Sequence, residues 1–446
     1  MPLQPSRRRL LIKGATVLSQ DPAIGDLNAG DILIDGEVIV AVGAGMEVAD
    51  AVRIDATGML AMPGLVDAHR PGWQGGLRML MPDVATLDEY LNTVHFSLAP
   101  HCRPEDIYAG CYLTAVSCLD AGITTIIDPC DNARSAAHTD AAVDAYQAAG
   151  LRVLFMPGRP LAGPWQQQWP RDLERLKAVR FASERQLLTL GMYSQPDQAN
   201  WALARRLGLP ILSELLGVMA PMMRRWEATC PLGPDNIMNH CTSIPEAGWR
   251  MLGAAGVRVT AASRADAQYA LEGGVSAYQA ALEHGFRPGL GTGTEAAYGG
   301  DMFTEMRVTF FVQRAMAQAA RHQGASHAPA PVDVRQVLRS ATLDGARCAG
   351  LAQRTGSLTP GKQADLILLN AGRLHLMGAH SAAGAVLHAA ERGDVDTVIV
   401  AGRVRKRGGK LRGVDQAKLR RETEASLERL FKAVAAAPAC YNEPSP

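Results

Sequence analysis

The chain has 446 residues, 47% of them apolar and 20% charged, enough to bury a large core and too many for one small module. Its 45 basic and 44 acidic side chains leave a formal net charge of +1, and the short Arg7-Arg8-Arg9 run and the Arg403–Lys410 turn region are its basic clusters, so no nucleic-acid partner is expected. No apolar stretch approaches the roughly 20 residues of a bilayer span, and the 8 cysteines never fall as C-x-x-C, which reads as reduced core thiols of a cytoplasmic protein without a signal peptide.

Residues 8–62 read as β-structure. Leu10–Ile12, Asp31–Ile34, Val38–Val42 and Val52–Asp55 are short β-rich runs broken by Gly, Asp and Asn, with Asp35-Gly36 between two of them. In Pro63-Gly64-Leu65-Val66-Asp67-Ala68-His69, apolar residues run into an Asp and a His without polar alternation. That is how a parallel strand buried on both faces looks, and it leaves His69 where the strand opens into a loop. Ile123–Asp128, Val153–Pro157, Leu187–Gly191, Pro210–Leu215, Ile237–Cys241, Val257–Ala262 and Pro288–Gly293 continue the series. Helical stretches such as Glu105–Asp120, Ala133–Ala149, Pro245–Ala255 and Ala277–His284 separate them. Alternation implies a parallel sheet, and eight units imply a closed barrel whose chemistry lies at the carboxyl ends of its strands. A doubly wound open sheet is the alternative, and the flanking β module argues against it.

Helices from Asp301 to about Gln323 and from Asp333 to Ala349 follow the last strand. Gly356–Leu369 and Asp396–Val404 return to β texture, and a helix from about Gln416 to Ala437 precedes the tail. Each β end has too few strands for its own core, so the two are expected to pair. The expected fold is α/β: a (β/α)8 TIM barrel over residues 63–353, a composite β-sandwich from residues 1–62 and 354–412, and a C-terminal helix and tail over residues 413–446.

The first barrel strand continues as Arg70-Pro71-Gly72-Trp73-Gln74. With it stand Arg103-Pro104-Glu105-Asp106-Ile107-Tyr108-Ala109-Gly110, Gly300-Asp301-Met302-Phe303-Thr304-Glu305-Met306-Arg307, Ala341-Thr342-Leu343-Asp344-Gly345-Ala346-Arg347, Gly361–Leu368 and Val398–Val404. Together these resemble the amidohydrolase superfamily, and within it the cytosine deaminase and triazine hydrolase-like branch, over nearly the whole chain. The resemblance implies a homodimeric barrel enzyme that cleaves a C–N bond of a small nitrogen heterocycle or amide. It also implies one divalent ion held by two His on strand 1, one His on each of strands 5 and 6, and an Asp on strand 8. Such ligands suit a borderline metal that lowers the pKa of its bound water.

The sequence departs from that ligand set. His69 matches the first strand-1 ligand, but the second position is Pro71, which has no ring nitrogen to offer. Leu209-Pro210-Ile211-Leu212-Ser213-Glu214 puts Glu214 at the strand-5 histidine, or Ser213 if the register slips by one. His240 keeps the strand-6 position. Gly293 stands at the strand-8 Asp, with Glu295 two residues on, and Gly217 stands where relatives carry a proton-shuttling Glu.

Three readings follow. The preferred one is a metal-independent enzyme with no cofactor, in which His69, Glu214, His240 and Asp266 act as general acids and bases on a small molecule. The second is a rebuilt metalloenzyme with His69, Glu214 and His240 holding zinc or iron. The third is a non-catalytic homologue. Trp73, Gln74, Arg159, Gln268 and Glu295 are the substrate-binding candidates, expected to face the barrel mouth. Trp73 as packing, Arg159 as a loop salt bridge and Gln268 as a helix cap are the bland counterparts. His95 and His101 stand near the mouth. The Met-rich run Val218–Met223 is either a substrate wall or an oligomer contact. The partners expected are a small-molecule substrate and a second copy of the chain, with neither nucleic acid nor membrane.

Overall fold

The computed structural model describes residues 9–436. The barrel strands are Leu65–Asp67, Ile123–Cys130, Arg152–Pro157, a fourth split at Gly191 into Leu188–Leu190 and Met192–Tyr193, Ile211–Leu216, Asn236–Thr242, Arg258–Ala261 and Gly289–Leu290, paired in parallel. The ring closes where the Ala68 N–H donates to the Leu290 carbonyl at 2.7 Å. At the split, the Gly191 N–H donates to the Phe155 carbonyl at 2.8 Å and Gly158 bridges Tyr193. This is the expected TIM barrel.

Inside the barrel, Ala68, Ile127, Leu154, Met156, Leu212 and Ile237 form a buried plug. Side chains on a strand face inward at every second residue, so Glu214 follows Leu212 and Pro129 follows Ile127 at the next inward position. The plug thereby sets the floor of the site.

The segment expected as one helix from Asp333 to Ala349 is two, Val334–Ser340 and Leu343–Cys348. The Ala341 carbonyl leaves the helix ladder to accept the Val66 N–H of the first barrel strand at 2.8 Å. Two motif residues are explained by capping. Asp301 accepts the Phe303 and Thr304 N–H groups at the start of Met302–His322. Asp106 accepts the Arg103 N–H at 2.8 Å and also receives Ser426 and Arg429 from the last helix, Gln416–Ala436.

Strands from both ends of the chain form one nine-stranded sheet. Its order is Lys410–Leu411, Arg403–Arg407, Val395–Val400, Leu366–Asn370, Met59–Pro63, Arg9–Leu18, Asp26–Asp35 and Val38–Gly43, with Ala51–Asp55 also beside Arg9–Leu18. A buried bidentate pair, Arg152 to Asp365 at 2.6 and 3.0 Å, ties this sheet to the third barrel strand. Ala437 and Cys440 lie outside the described residues.

Candidate functional site

Three barrel strands deliver the central groups. His69 follows the first strand, Glu214 lies on the fifth and His240 on the sixth. Glu214 Oε1 is 3.9 Å from His69 Nε2, and its Oε2 is 3.5 Å from His240 Nε2. One ligand atom from each residue lies within 4.8 Å of the others. Of the two strand-5 candidates Glu214 lines the site, while the Ser213 hydroxyl is buried and donates to the Ser194 carbonyl at 2.6 Å.

His240 reaches the site through an irregularity. The pairing of strands five and six shifts between Leu215 and Leu216, and His240 takes a left-handed φ of +64°. A bulge of this kind re-aims a side chain at a barrel rim, and a non-glycine residue at positive φ is uncommon enough to point to a functional constraint. Cys241 behind it is fully buried and packs as a core residue.

Asp266, fully buried, lies 2.5 Å from His240 Nδ1. Burial opposes a charge on His240, but the Asp266 carboxylate outweighs it and, with Glu214, raises the imidazole above its usual 6.5. At His69 burial prevails over Glu214 and lowers the pKa, so this ring is held neutral. Its Nδ1 is buried and lacks a hydrogen-bond partner among the described residues. The Asn239 amide donates to Glu214 Oε2 at 2.8 Å and fixes that carboxylate. Two imidazoles and a carboxylate at these separations suit a divalent ion with open positions, and His240 has the carboxylate support typical of metal-bound histidines. The expectation of a site needing no cofactor finds no support in this donor set.

The positions that depart from the family pattern have structural consequences. Gly293 has φ +69°, and its N–H donates to the His69 carbonyl at 2.9 Å. A Cβ at Gly217 would sit 2.4 Å from Glu272 Oε2, so a carboxylate from the loop after the seventh strand stands against the position where the resemblance implied one.

The site opens into a cavity of about 170 Å³. Its polar wall includes His95, Asp131 and Tyr193, and its apolar wall includes Leu87, Leu161 and Leu271. Of the substrate-binding candidates, none lines it. Glu295 turns away and binds Arg70 at 2.9 Å and Arg78 at 2.8 Å, because the chain leaves strand geometry after Leu290. Trp73 is buried and donates its indole N–H to Asp131 at 2.9 Å. Gln74 is buried between Tyr90 and Thr294. Arg159 is exposed over the Trp165 ring, and Gln268 donates to the Val84 carbonyl at 2.8 Å. His101 is not part of the cavity, and in the Met-rich run Val218 and Met222 are exposed outside it.

Asp131, Tyr90 and Tyr193 were not singled out from the sequence. Asp131 stands just past the second strand and Tyr193 ends the fourth. The rule that strand ends bear function, which found His69, applies to both.

A closed barrel with imidazole and carboxylate groups converging at the carboxyl ends of its strands defines a barrel enzyme with a polar reaction centre. Residues 229–405 match the model of the amidohydrolase family. The chain is 27% identical over 450 residues to a 5'-deoxyadenosine deaminase of Methanosarcina barkeri, covering 95% of this chain and 99% of the relative. It is 29% identical over 453 residues to a 5-methylthioadenosine/S-adenosylhomocysteine deaminase of Desulforudis audaxviator, covering 96% and 100%. Among solved structures, an adenosine deaminase from Xanthomonas campestris with bound zinc superposes with a TM-score of 0.84 at 23% identity, covering 96% of this chain and all of that one. On these matches the chain is an amidohydrolase-like enzyme acting on C–N bonds, similar to the family over residues 229–405 and to deaminases over nearly its whole length.

Proposed function

We propose that the protein hydrolyses a C–N bond of a small nitrogen-containing molecule at the His69–Glu214–His240 centre, and that these three side chains hold one divalent ion, zinc or iron. The observation that supports this most is their convergence within 4.8 Å at the carboxyl mouth of the barrel. The deaminations carried out by the relatives support C–N cleavage, and the zinc bound by the Xanthomonas campestris enzyme supports an ion. Such an ion supplies a water acidified toward neutrality.

The protein's own groups prepare the rest. Burial keeps His69 neutral and its ring nitrogen free to donate an electron pair. Asp266 fixes the orientation of His240, and Asn239 orients Glu214. The leucines of the cavity wall keep bulk water from the reacting bond. The second reading, acid–base catalysis without an ion, is favoured by the Asp266 carboxylate, which lies against His240 Nδ1 and, outweighing burial, raises the imidazole above 6.5. In it Glu214 takes a proton from water and His240 gives one to the leaving nitrogen. A homodimer, a cytoplasmic setting and the division into barrel, terminal β-sandwich and tail belong to the same proposal. Among the described residues, no helix is long and apolar enough to cross a membrane.

Elemental analysis of protein purified without chelators or an affinity-tag metal tests the reading. We expect one ion per chain in the wild type and background content in Glu214→Gln. Background metal in the wild type, with activity unaffected by chelator, overturns it in favour of the second reading.

A further inference from the structure

Asp131 is the one carboxylate of the cavity wall besides Glu214, and the proposed mechanism gives it no role. Its Oδ1 accepts the Trp73 indole N–H at 2.9 Å. Its Oδ2 accepts no hydrogen bond among the described residues. His95 Nδ1 lies 3.5 Å from it. The side chain is nevertheless 12% exposed, toward the cavity. A carboxylate oxygen left short of donors in a largely buried wall is costly unless a ligand completes it.

The group is also held in place. Trp73 is 4% exposed and packs edge-on against the His95 ring, with centroids 5.7 Å apart. His95 Nε2 is in turn 3.1 Å from the Tyr90 hydroxyl, which is bonded to Gln74. Three rings and an amide therefore fix one acceptor in the cavity wall, as recognition of a nitrogen group requires.

The remainder of the cavity sets size and polarity. Its volume of about 170 Å³ falls below the roughly 300–1,000 Å³ of pockets for drug-sized ligands. Beyond the polar wall the surface is five leucines, Leu161 and Leu271 among them, with Pro71 and Pro129. Leu161, 53% exposed, marks the opening. Leucines offer nothing to the hydroxyls of a sugar.

We propose that Asp131 determines specificity: the substrate is a compact molecule without a sugar, and a nitrogen of it other than the one hydrolysed donates an N–H to Asp131 Oδ2. This rests on the C–N hydrolase reading only for the identity of the hydrolysed bond.

Binding measured by calorimetry tests it without turnover. The probes are adenine, cytosine and creatinine, with 5'-deoxyadenosine for comparison and 2-methylpyrimidine as a ring lacking any N–H. We expect at least one free amino ring to bind the wild type more tightly than 5'-deoxyadenosine does. Asp131→Asn, which keeps the acceptor for Trp73, should weaken that probe about 10- to 100-fold, the range of a charge-assisted hydrogen bond. It should leave 2-methylpyrimidine and the metal content unchanged. Asp131→Glu should restore part of the affinity, and a thermal melt of each variant verifies folding. The proposal is overturned if 5'-deoxyadenosine binds as tightly as any free ring, if no free ring binds, or if Asp131→Asn weakens all probes equally or none. Metal content and hydrolysis, assayed separately, report on the C–N hydrolase reading.

Discussion

Glu214 lies on the fifth barrel strand and Glu295 five residues past the end of the eighth, and both were candidates for the site. Glu295 is saturated: Arg70 and Arg78 bind one oxygen and the Gly300 N–H donates to the other at 3.2 Å. Arg70 in turn reaches Asp67 at 3.3 Å and donates to Thr292 at 2.7 Å. The two arginines outweigh burial and hold the Glu295 carboxyl below its usual range. Glu214 has a single amide donor and faces two imidazoles across gaps of 3.5 and 3.9 Å. The first carboxylate is spent on holding the chain after the eighth strand, and the second is left free for a ligand. In a barrel mouth rich in charge, the groups short of partners are the ones to assign to function.

The contrast is broken most directly by removing the charge at each end. Glu295→Gln leaves Arg70, 1% exposed, with one buried partner fewer, and breaking a buried pair in this way costs about 3–5 kcal/mol. Glu214→Gln removes no comparable partner and should cost under about 1 kcal/mol, as most changes away from a packed network do. Denaturant unfolding of the two variants gives both numbers. Equal losses would mean that Glu214 is as structural as Glu295.

The same contrast explains what could be read from the sequence. The eight strands were legible as buried apolar runs, the first of them leading to His69. Glu214, His240 and Asp266 came instead from the family resemblance, with Ser213 left open beside Glu214. The structure brings His69, Glu214 and His240 within 4.8 Å and Asp266 against His240. Glu295 was misplaced because the eighth strand ends at Leu290, so counting by twos along a strand no longer applies five residues later. Its partner Arg70 lies 225 residues away, and no local pattern announces that pairing. Trp73 and Gln74 follow the first strand closely, yet a 3₁₀ turn at Gly72–Gly76 carries them beneath the cavity. The break at Ala341 was invisible for the same reason: the helix pattern continues through it, and only a barrel strand claims the carbonyl.

The His240–Asp266 pair sharpens the comparison from the other side. Asp266→Asn should lower activity or ion affinity about 10- to 100-fold, as loss of a carboxylate behind a ligating histidine does. In chelator-treated protein it also has a pH signature. His240 is raised above 6.5 chiefly by Asp266, against burial. A raised folded-state value adds stability fully below about pH 6.5, and that stability is lost as pH rises through the raised value. The cost of Asp266→Asn should therefore be largest near pH 6 and smallest near pH 9, read from urea melts at both. A cost independent of pH would show that the pair does not hold a proton.

Gly293 is the mildest test. Its φ of +69° lies in the left-handed region, where a side chain costs about 1–2 kcal/mol and Asp is tolerated better than most. A Cβ there would meet Ala265 Cβ at 3.1 Å and Tyr298 Oη at 3.2 Å, tight contacts that need only a small shift. Gly293→Asp should thus destabilise by about 1 kcal/mol, while placing a carboxylate two residues after Gly291, where an added Cβ would sit 2.5 Å from His69 Cβ. If the three-donor centre binds an ion, the added charge should raise its affinity, seen as slower loss of metal to a chelator. Destabilisation with unchanged metal release would mean that the present geometry of the eighth-strand loop no longer points toward His69, and that the centre works with the donors of strands one, five and six alone.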